Sequence, residues 1–330
     1  MQFAARAGYI GGDTVANALI REALTEGGYR VQTLSAEPVG KRDLIRSWIW
    51  GEKWHVHRNI AAGLKGRHPI VIIDAQLNIG MLRQRCINIF HFSFRGYRKL
   101  AGVNWSLGDK LSNVIDSLLQ AIGSLGAYNV AVSDFQRRFL RTEGVKVHRV
   151  VGNSVDLDTF APRRPSLPTA EFLFVGGYSH YGKGFDVLER LAQRGLAIDC
   201  ASNIRPRAPL RYLGSIPHEG IPGVLSSHLI LLHPSRYESC SMSVLEALAC
   251  GIPVLISKVG IGAELRKEIP EFVVEGFDDR AIDEYLEKAR VILGDNERFS
   301  RLARAYVEKR HSYGQFKANW KDLVDRSARL

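Results

Sequence analysis

The sequence is poor in the residues and patterns that mark several protein classes. Its 330 residues contain 4 cysteines, which form no CxxC pair and no metal-ligand spacing with histidine: Cys86, Cys200, Cys240 and Cys250. This scarcity predicts a reduced protein without disulfides or structural zinc. A run of about 18 apolar residues, the minimum for a transmembrane helix, is also absent. The amino-terminal residues lack the basic and apolar segments of a secretory signal, so we expect none.

Acidic residues are scarce in the first half of the chain. Residues 1–160 contain 21 Lys+Arg and 13 Asp+Glu, a net charge of +8, whereas the remaining residues contain 24 and 21, a net charge of +3. Such a basic half favours an anionic partner: a phosphorylated ligand, an acidic lipid surface or nucleic acid. Because neither a zinc-finger pattern nor an RNP aromatic motif occurs, we expect no nucleic acid partner.

Three of the 5 tryptophans lie in the basic segment 41–68, at Trp48, Trp50 and Trp54. Basic residues alternate with them, and the apolar positions recur near helical spacing. Such a segment is typical of an amphipathic helix lying on an anionic membrane surface. An ordinary helix with its aromatic side chains in the core fits the same pattern. The protein is therefore expected to be cytoplasmic, or peripheral at the inner face of the membrane.

Short apolar runs alternate with helical patterns along the whole chain, which predicts an α/β protein built from βαβ units. Three prolines in residues 161–168 mark the clearest linker. We therefore predict one Rossmann-like domain over residues 1–160 and a second over 169–312. A helix over residues 313–330 follows, with Trp320 among its regularly spaced apolar residues.

The most informative stretch is 229–257, which reads as strand, loop, helix, turn and strand. Glu238 precedes the predicted helix and Glu246 lies within it, so both can reach a ligand at the carboxyl end of the first strand. The amides at the helix start have no intrahelical partner and favour an anion. A capped helix with two solvated glutamates is the alternative interpretation of this pair.

A GxGxxG dinucleotide fingerprint is missing, but Gly11 and Gly12 separate the first predicted strand from a helix. Such glycines let the backbone approach a phosphate or sugar, or merely form a tight turn. His91 stands where another predicted strand runs into a loop, a position suited to a cleft, although a lone histidine is more often structural.

Several separated stretches together resemble the retaining glycosyltransferases of family 4. The matching features are the two glutamates with seven residues between them, the turn Cys250-Gly251-Ile252-Pro253-Val254, the loop from Val175-Gly176 to Lys183-Gly184, the segment VVGNSVDLDTF over 150–160, and Gly11-Gly12. The resemblance implies the GT-B fold, in which two Rossmann-like domains face each other across a cleft and the carboxyl-terminal helix crosses back to the first domain. The first domain would take the acceptor and the second the nucleotide sugar.

The resemblance implies retaining, metal-independent transfer of a sugar from a nucleotide sugar, most often a UDP- or GDP-sugar, to a hydroxyl acceptor, with no cofactor. Lys183 would contact the donor phosphates, Glu246 the ribose hydroxyls and Glu238 the donor sugar. His91 would stand near the transferred sugar. The basic first domain and its tryptophan-rich segment favour a lipid-linked or phosphorylated acceptor, and the product would be a polysaccharide, a lipid-linked glycan or a glycosylated metabolite. The remaining donor-binding residues would be Gly11, Gly12, Gly176, Gly177, Arg205, Ser239, Cys240, Ser241, Met242 and Ser243.

Three positions depart from the family pattern. Gly177 replaces a second phosphate-binding arginine, for which Arg205, Arg207 or Arg95 could substitute. Ser241 replaces a glycine after the first glutamate, and Ser154 replaces the glycine of an Asn-Gly-Val-Asp segment. These departures leave two alternatives open: a weakly active or inactive nucleotide-sugar-binding protein of the same fold, or a GT-B epimerase.

Overall fold

The structure is a computed structural model that describes most of the chain. The described residues are 2–6, 12–36, 70–74, 86–102, 105–163, 170–177, 180–207 and 209–327. The predicted membrane segment 41–68 and Gly11 lie outside them. The chain divides into two compact units: unit 1 comprises Met1–Asn153 and Gly314–Leu330, and unit 2 comprises Ser154–Tyr313.

Unit 1 contains a parallel sheet with strand order β2-β1-β3-β4-β5-β6. Its strands are β1 (Gln2–Arg6), β2 (Gln32–Ala36), β3 (Val71–Asp74), β4 (Cys86–Phe90), β5 (Tyr128–Ala131) and β6 (Arg149–Val150). Its helices up to this point of the chain are α1 (Gly12–Glu26), α2 (Phe94–Ala101), α3 (Leu107–Gly123) and α4 (Asp134–Thr142). Every residue of β3 and β4 is buried, as expected for strands covered on both faces.

Local sequence fixes where these helices begin. The Ser133 side chain accepts a hydrogen bond from the amide of Gln136 and starts α4. Ser106 and Asp109 form a reciprocal capping box at the start of α3. Both helices therefore begin at a serine whose side chain caps the first turn.

Unit 2 contains a second parallel sheet with strand order β9-β8-β7-β10-β11-β12. Its strands are β7 (Phe172–Val175), β8 (Ile198–Ala201), β9 (Arg211–Gly214), β10 (Ile230–His233), β11 (Val254–Ser257) and β12 (Val273–Val274). Its helices are α5 (Phe185–Gln193), α6 (Ile221–Ser226), α7 (Met242–Ala249), α8 (Gly262–Glu268), α9 (Asp279–Gly294) and α10 (Asn296–Arg310). The strand order reverses between β7 and β10, which is where open α/β sheets bind ligands.

The predicted βαβ unit over 229–257 is confirmed as β10-α7-β11. Helix α7 ends in a Schellman motif, in which the Gly251 amide donates to Leu248 O at 3.0 Å and the Ile252 amide to Ala247 O at 2.8 Å. Gly251 has φ of 72°, a conformation that favours glycine. The Cys-Gly-x-Pro turn therefore ends the helix and directs the chain into β11.

The final helix, α11 (Tyr313–Ser327), returns to unit 1. Lys317 Nζ lies 2.8 Å from Glu26, Arg149 lies 2.5 Å from Asp322, and Trp320 is fully buried. The prediction of a carboxyl-terminal helix on the first domain is thus confirmed. Among the described residues, no helix is long and apolar enough to cross a membrane.

Candidate functional site

The loops that follow β7 and β10 meet at the switch point of the unit 2 sheet. Gly184 ends the first loop with φ of 74°, and a Cβ atom at this position would clash with Pro234 O in the second loop. The Arg236 amide donates to Gly182 O at 2.8 Å and closes the contact. Only glycine fits at position 184, since both the backbone conformation and the space exclude a side chain. This contact explains the Lys-Gly end of the predicted glycine loop.

Four side chains converge at this switch point, two of them predicted from the sequence. Lys183 Nζ donates to Glu238 Oε1 at 2.5 Å, and His233 Nε2 lies 3.1 Å from the same oxygen. Ser235 Oγ lies 3.2 Å from His233 Nε2. The structure thus brings together Lys183 and Glu238, which are 55 residues apart in the chain.

The Glu238 carboxyl is held in its ionised form. Burial alone would raise the pKa of Glu238, but the Lys183 ammonium and the His233 ring together hold that pKa well below its ordinary value. The side chain keeps 14 % of its exposed surface, so a ligand can reach it. The site therefore presents a fixed carboxylate beside an ammonium group whose position that carboxylate holds.

Arg236 braces the loop that carries Lys183. Its guanidinium donates to both carboxylate oxygens of Asp186, at 2.7 and 2.8 Å, and to Tyr181 O at 2.8 Å. It also stacks over the rings of Tyr181 and Phe277, 3.7 and 4.5 Å from their centroids. Because the side chain is only 6 % exposed, it acts on the loop rather than on a ligand.

The predicted donor-binding stretch 239–243 forms the entry to α7. Ser239, Cys240, Ser241 and Met242 are buried, and Ser241 takes the N-cap position without a side-chain capping bond. Ser241 Oγ lies 3.1 Å from Ser243 Oγ. The first amides of α7 have no intrahelical acceptor, and the helix dipole adds positive potential there. This end of α7 suits an anionic group.

Glu246 lies in the second turn of α7, where it is buried. His218 Nε2 donates to Glu246 Oε1 at 2.8 Å, and the His218 ring packs against Phe160 with centroids 5.5 Å apart. The hydrogen bond to Glu246 raises the pKa of His218 above its ordinary value, against the effect of partial burial. Glu246 is therefore a buried hydrogen-bond acceptor covered by the His218 ring, whose hydrogen bond a ligand hydroxyl can replace.

Gly177 leaves no open space for the arginine that the family pattern carries. A Cβ atom at Gly177 would clash with Asn203 Oδ1, so the Asn203 side chain occupies that space. Arg205 and Arg207 are exposed on the same loop after β8. Arg95, in unit 1, donates to Thr142 O at 2.5 Å. Substitution of the missing cation by one of these arginines stays a prediction.

The predicted residues of unit 1 follow the ends of its strands. His91 comes directly after β4, and its Nε2 donates to Asn17 Oδ1 on α1 at 2.9 Å. Gly12 is the first residue of α1. These positions fit the carboxyl edge of the sheet, and the roles of His91 and Gly12 stay predictions.

Sequence reasoning missed His218, His233 and Arg236. His233 was visible as the end of an apolar strand, the same signal that drew attention to His91. His218 and Arg236 carried no such signal, because their partners Glu246 and Asp186 lie 28 and 50 residues away in the chain.

Within the part of the chain that the structure describes, no group of three or more His, Cys, Asp or Glu residues is arranged to hold a metal ion. Metal-independent chemistry stays a prediction.

Residues 167–305, which contain Lys183, Glu238 and Glu246, match the family model described as glycosyl transferases group 1. This match covers less than half of the chain. O-antigen chain mannosyltransferase B of Escherichia coli is 34 % identical over 87 residues, 26 % of this chain and 20 % of that protein. Glycogen synthase of Mycobacterium tuberculosis is 23 % identical over 258 residues, 72 % of this chain and 57 % of that protein. The chain thus covers less than two thirds of either relative.

Solved structures match over nearly the whole chain. Sucrose-phosphate synthase of Thermosynechococcus elongatus superimposes with a TM-score of 0.79 at 16 % identity, covering 99 % of this chain and 98 % of that one. HepE of Anabaena, in complex with UDP-glucose, gives a TM-score of 0.65 at 12 % identity, covering 98 % and 99 %. This likeness confirms the predicted GT-B fold with two parallel sheets and interleaved helices.

Proposed function

We propose that the protein transfers a sugar from a nucleotide-sugar donor to a hydroxyl acceptor with retained anomeric configuration and without a metal ion. The observation that carries this proposal is the pairing of Lys183 with Glu238 at the switch point of unit 2. The buried Glu246 lies on α7, the helix that follows Glu238 in the chain. The match of residues 167–305 to the glycosyl transferases group 1 model supports sugar transfer. The UDP-glucose bound by HepE supports a UDP-sugar donor, with a GDP-sugar as the second choice.

The donor binds in this proposal with its diphosphate at the start of α7. Lys183 and the first amides of α7 contact the phosphate oxygens, since both favour an anion. Glu246 accepts hydrogen bonds from the ribose hydroxyls, which displace or share the Nε2–H of His218. The backbone of Gly176 and the amides and hydroxyls of Ser239 and Ser243 complete the donor contacts in unit 2.

Catalysis is mainly electrostatic. The bond between the anomeric carbon and the diphosphate breaks, and the acceptor oxygen bonds to that carbon on the same face. The acceptor proton passes to the departing diphosphate. Lys183 stabilises the charge that grows on this leaving group. The ionised Glu238 lies beside the sugar and stabilises positive charge on its ring.

Nucleotide release from a panel of UDP- and GDP-sugars tests the proposal. Lys183→Ala and Glu238→Gln should each lower kcat by roughly 100-fold, as expected for removal of a group that acts in the transition state. Lys258 and Glu275 offer a matched control, because they form an exposed ion pair at 3.0 Å in the same unit. Lys258→Ala and Glu275→Gln should leave kcat unchanged. Unchanged turnover in the two site variants would refute the proposed roles.

A binding protein without transferase activity is the second candidate, because Asn203 occupies the space beside Gly177 where the second cation would begin. The two candidates differ in product. Nucleotide binding without release of nucleoside diphosphate from any donor, in the presence of a hydroxyl acceptor panel, would favour the binding protein. Binding is seen as thermal stabilisation of about 2.7 kcal/mol at 100 times the dissociation constant.

We propose the acceptor by its chemical class, as a hydroxyl on a lipid-linked or phosphorylated molecule. The basic composition of residues 1–160 supports it, because an anionic acceptor is attracted to a cationic domain. Cytoplasmic location, with peripheral attachment to the inner face of the membrane, is proposed on the same ground.

A further inference from the structure

Helix α3 in unit 1 exposes an unbroken apolar face. Of the ten large hydrophobic residues that are exposed in the described part of the chain, seven lie within residues 107–125. Six of them, with exposures from 36 % to 84 %, form what we call the α3 stripe: Leu107, Leu111, Val114, Ile115, Leu118 and Ile122. At 100° per residue they fall within an arc of roughly 100° on one side of the helix. Leu125 continues the line beyond the last turn.

The helix is inverted relative to an ordinary surface helix. Its buried residues are Asn113, Gln120 and Gly123, so the polar side faces the protein. Gln120 Nε2 donates to Phe92 O at 3.1 Å, which fastens this polar side to the chain before α2. A surface helix of a protein without a partner at that site places apolar residues inward. A contiguous exposed apolar patch of this kind marks an interaction surface.

The charge of unit 1 distinguishes between two occupants, a second copy of the chain and a lipid surface. Unit 1 contains 25 Lys+Arg and 13 Asp+Glu, a net charge of +12, whereas unit 2 contains 20 and 21, a net charge of −1. Two stripes in contact would bring two units of +12 together, which the like charges oppose. An anionic bilayer attracts the same unit.

Basic residues accompany the stripe itself. Lys110 is exposed on α3 about 100° from Leu111, and α2, which packs against α3, carries Lys99 and Arg98. Asp109 and Asp116 lie on the other side of the helix, toward its polar face. Lys110 thus flanks the apolar face, and a cation beside an apolar face is typical of helices that lie in a lipid interface.

We infer that the α3 stripe is a membrane-binding surface for bilayers rich in anionic phospholipids. At 1.5 Å per residue the helix is about 25 Å long and lies parallel to the bilayer with its stripe among the acyl chains. This inference does not depend on the transferase activity. It is also separate from the prediction of membrane contact through segment 41–68, which lies outside the described residues.

Co-sedimentation with vesicles tests the inference, using 30 % phosphatidylglycerol in phosphatidylcholine and phosphatidylcholine alone. The triple variant Leu111→Gln/Leu118→Gln/Ile122→Gln should bind anionic vesicles at least tenfold more weakly than the wild type. The matched control is Val291→Gln/Leu302→Gln, which removes exposed apolar side chains from unit 2 and should bind like the wild type. Circular dichroism checks that each variant is folded.

A fluorescent label gives an independent measurement that does not weaken the surface. All four native cysteines are buried, so Leu118→Cys and the unit 2 control Leu302→Cys are the accessible thiols for an environment-sensitive dye. Anionic vesicles should shift the emission of the label at position 118 to the blue and leave that at position 302 unchanged. Nucleotide binding should be the same in all these variants.

Two results would overturn the inference. The first is vesicle binding by the triple variant equal to that of the wild type, with no spectral shift at position 118. The second is a wild-type dimer in sedimentation velocity that the triple variant converts to a monomer, without vesicle binding by either protein. The second result would assign the stripe to a second copy of the chain.

Discussion

At the scale of single residues, the candidate site depends on side chains held by charge rather than by packing. Lys183 has its ammonium fixed by Glu238, and Glu246 has one lone-pair direction covered by His218. In both cases a ligand meets a group that is already oriented. Pre-oriented charges are effective in catalysis because they need no reorganisation as charge develops in the transition state.

The missing second cation can be restored by substitution. Gly177→Arg combined with Asn203→Ala removes the clash with Asn203 Oδ1 and introduces a guanidinium beside the proposed diphosphate. A charge-assisted hydrogen bond is worth roughly 1.5 to 3 kcal/mol, so the dissociation constant for a nucleoside diphosphate should fall about tenfold or more. Titration calorimetry measures this change.

Gly223→Arg, where a side chain meets open space, is the control and should have no effect. Equal affinity in the site variant and this control would show that position 177 does not face the phosphates.

His218 should make stability depend on pH. Its pKa in the folded protein is raised by Glu246, so its contribution is fully present below the ordinary histidine pKa of about 6.5 and is lost as the pH rises through the raised value. His218→Gln should therefore destabilise the protein by up to about 1 kcal/mol at pH 5.5, a limit set by the ring being 39 % exposed, and much less at pH 9. Chemical denaturation at both pH values checks this. The same loss at both would mean that the pair acts without the histidine charge.

At the scale of elements, β-strand order and loop contacts place the site. The sequence allowed prediction of the β10-α7-β11 unit and of its glycine turn, because apolar runs and glycine punctuation are local signals. It did not allow prediction of Arg236, whose contacts come from α5 and the loop at Phe277, or of the inverted helix α3. A periodic apolar face predicts a helix but does not say which side is covered, and α3 covers its polar side.

Arg236→Ala should loosen the loop that ends in Lys183. The substitution removes a bidentate bond to Asp186 and two ring contacts, and it leaves Tyr181 O without this donor. Loss of a buried ion pair costs about 3 to 5 kcal/mol, and the partial exposure of Asp186 lowers the expected cost to roughly 2 to 3 kcal/mol. Denaturant unfolding measures this loss. Arg236→Lys should recover little of the lost stability, because an ammonium cannot form the same two parallel hydrogen bonds.

Arg194→Ala, which breaks an exposed pair with Asp283, is the control and should cost under about 1 kcal/mol. A loss for Arg236→Ala no larger than for this control would rule out the bracing role.

At the scale of the whole molecule, the chain leaves unit 1 at Asn153 and returns to it at Gly314. Helix α11 therefore contributes to the core of unit 1 although it is the last helix described. The charge follows the same division, with the excess of positive charge confined to unit 1. Unit 2 is nearly neutral and carries residues 167–305, which match the glycosyl transferases group 1 model.

Trp320→Ala should lower the stability of unit 1 and leave that of unit 2 nearly unchanged. Trp320 is fully buried on α11, and removal of a buried aromatic side chain costs about 3 to 5 kcal/mol. Differential scanning calorimetry should show an earlier transition for unit 1 and a later transition that nucleotide still raises. Lys321→Ala, at a neighbouring exposed position, is the control. A single unshifted transition would contradict the packing of α11 in unit 1.

The central claim is that unit 2 holds a nucleotide sugar through Lys183 at the diphosphate and Glu246 at the ribose. Titration calorimetry with a nucleoside diphosphate and the matching monophosphate, UDP with UMP and GDP with GMP, separates the two contacts. Lys183→Ala should weaken diphosphate binding at least tenfold and leave monophosphate binding nearly unchanged, whereas Glu246→Gln should weaken both. Binding of neither pair to the wild type, or wild-type affinity in both variants, would contradict the claim.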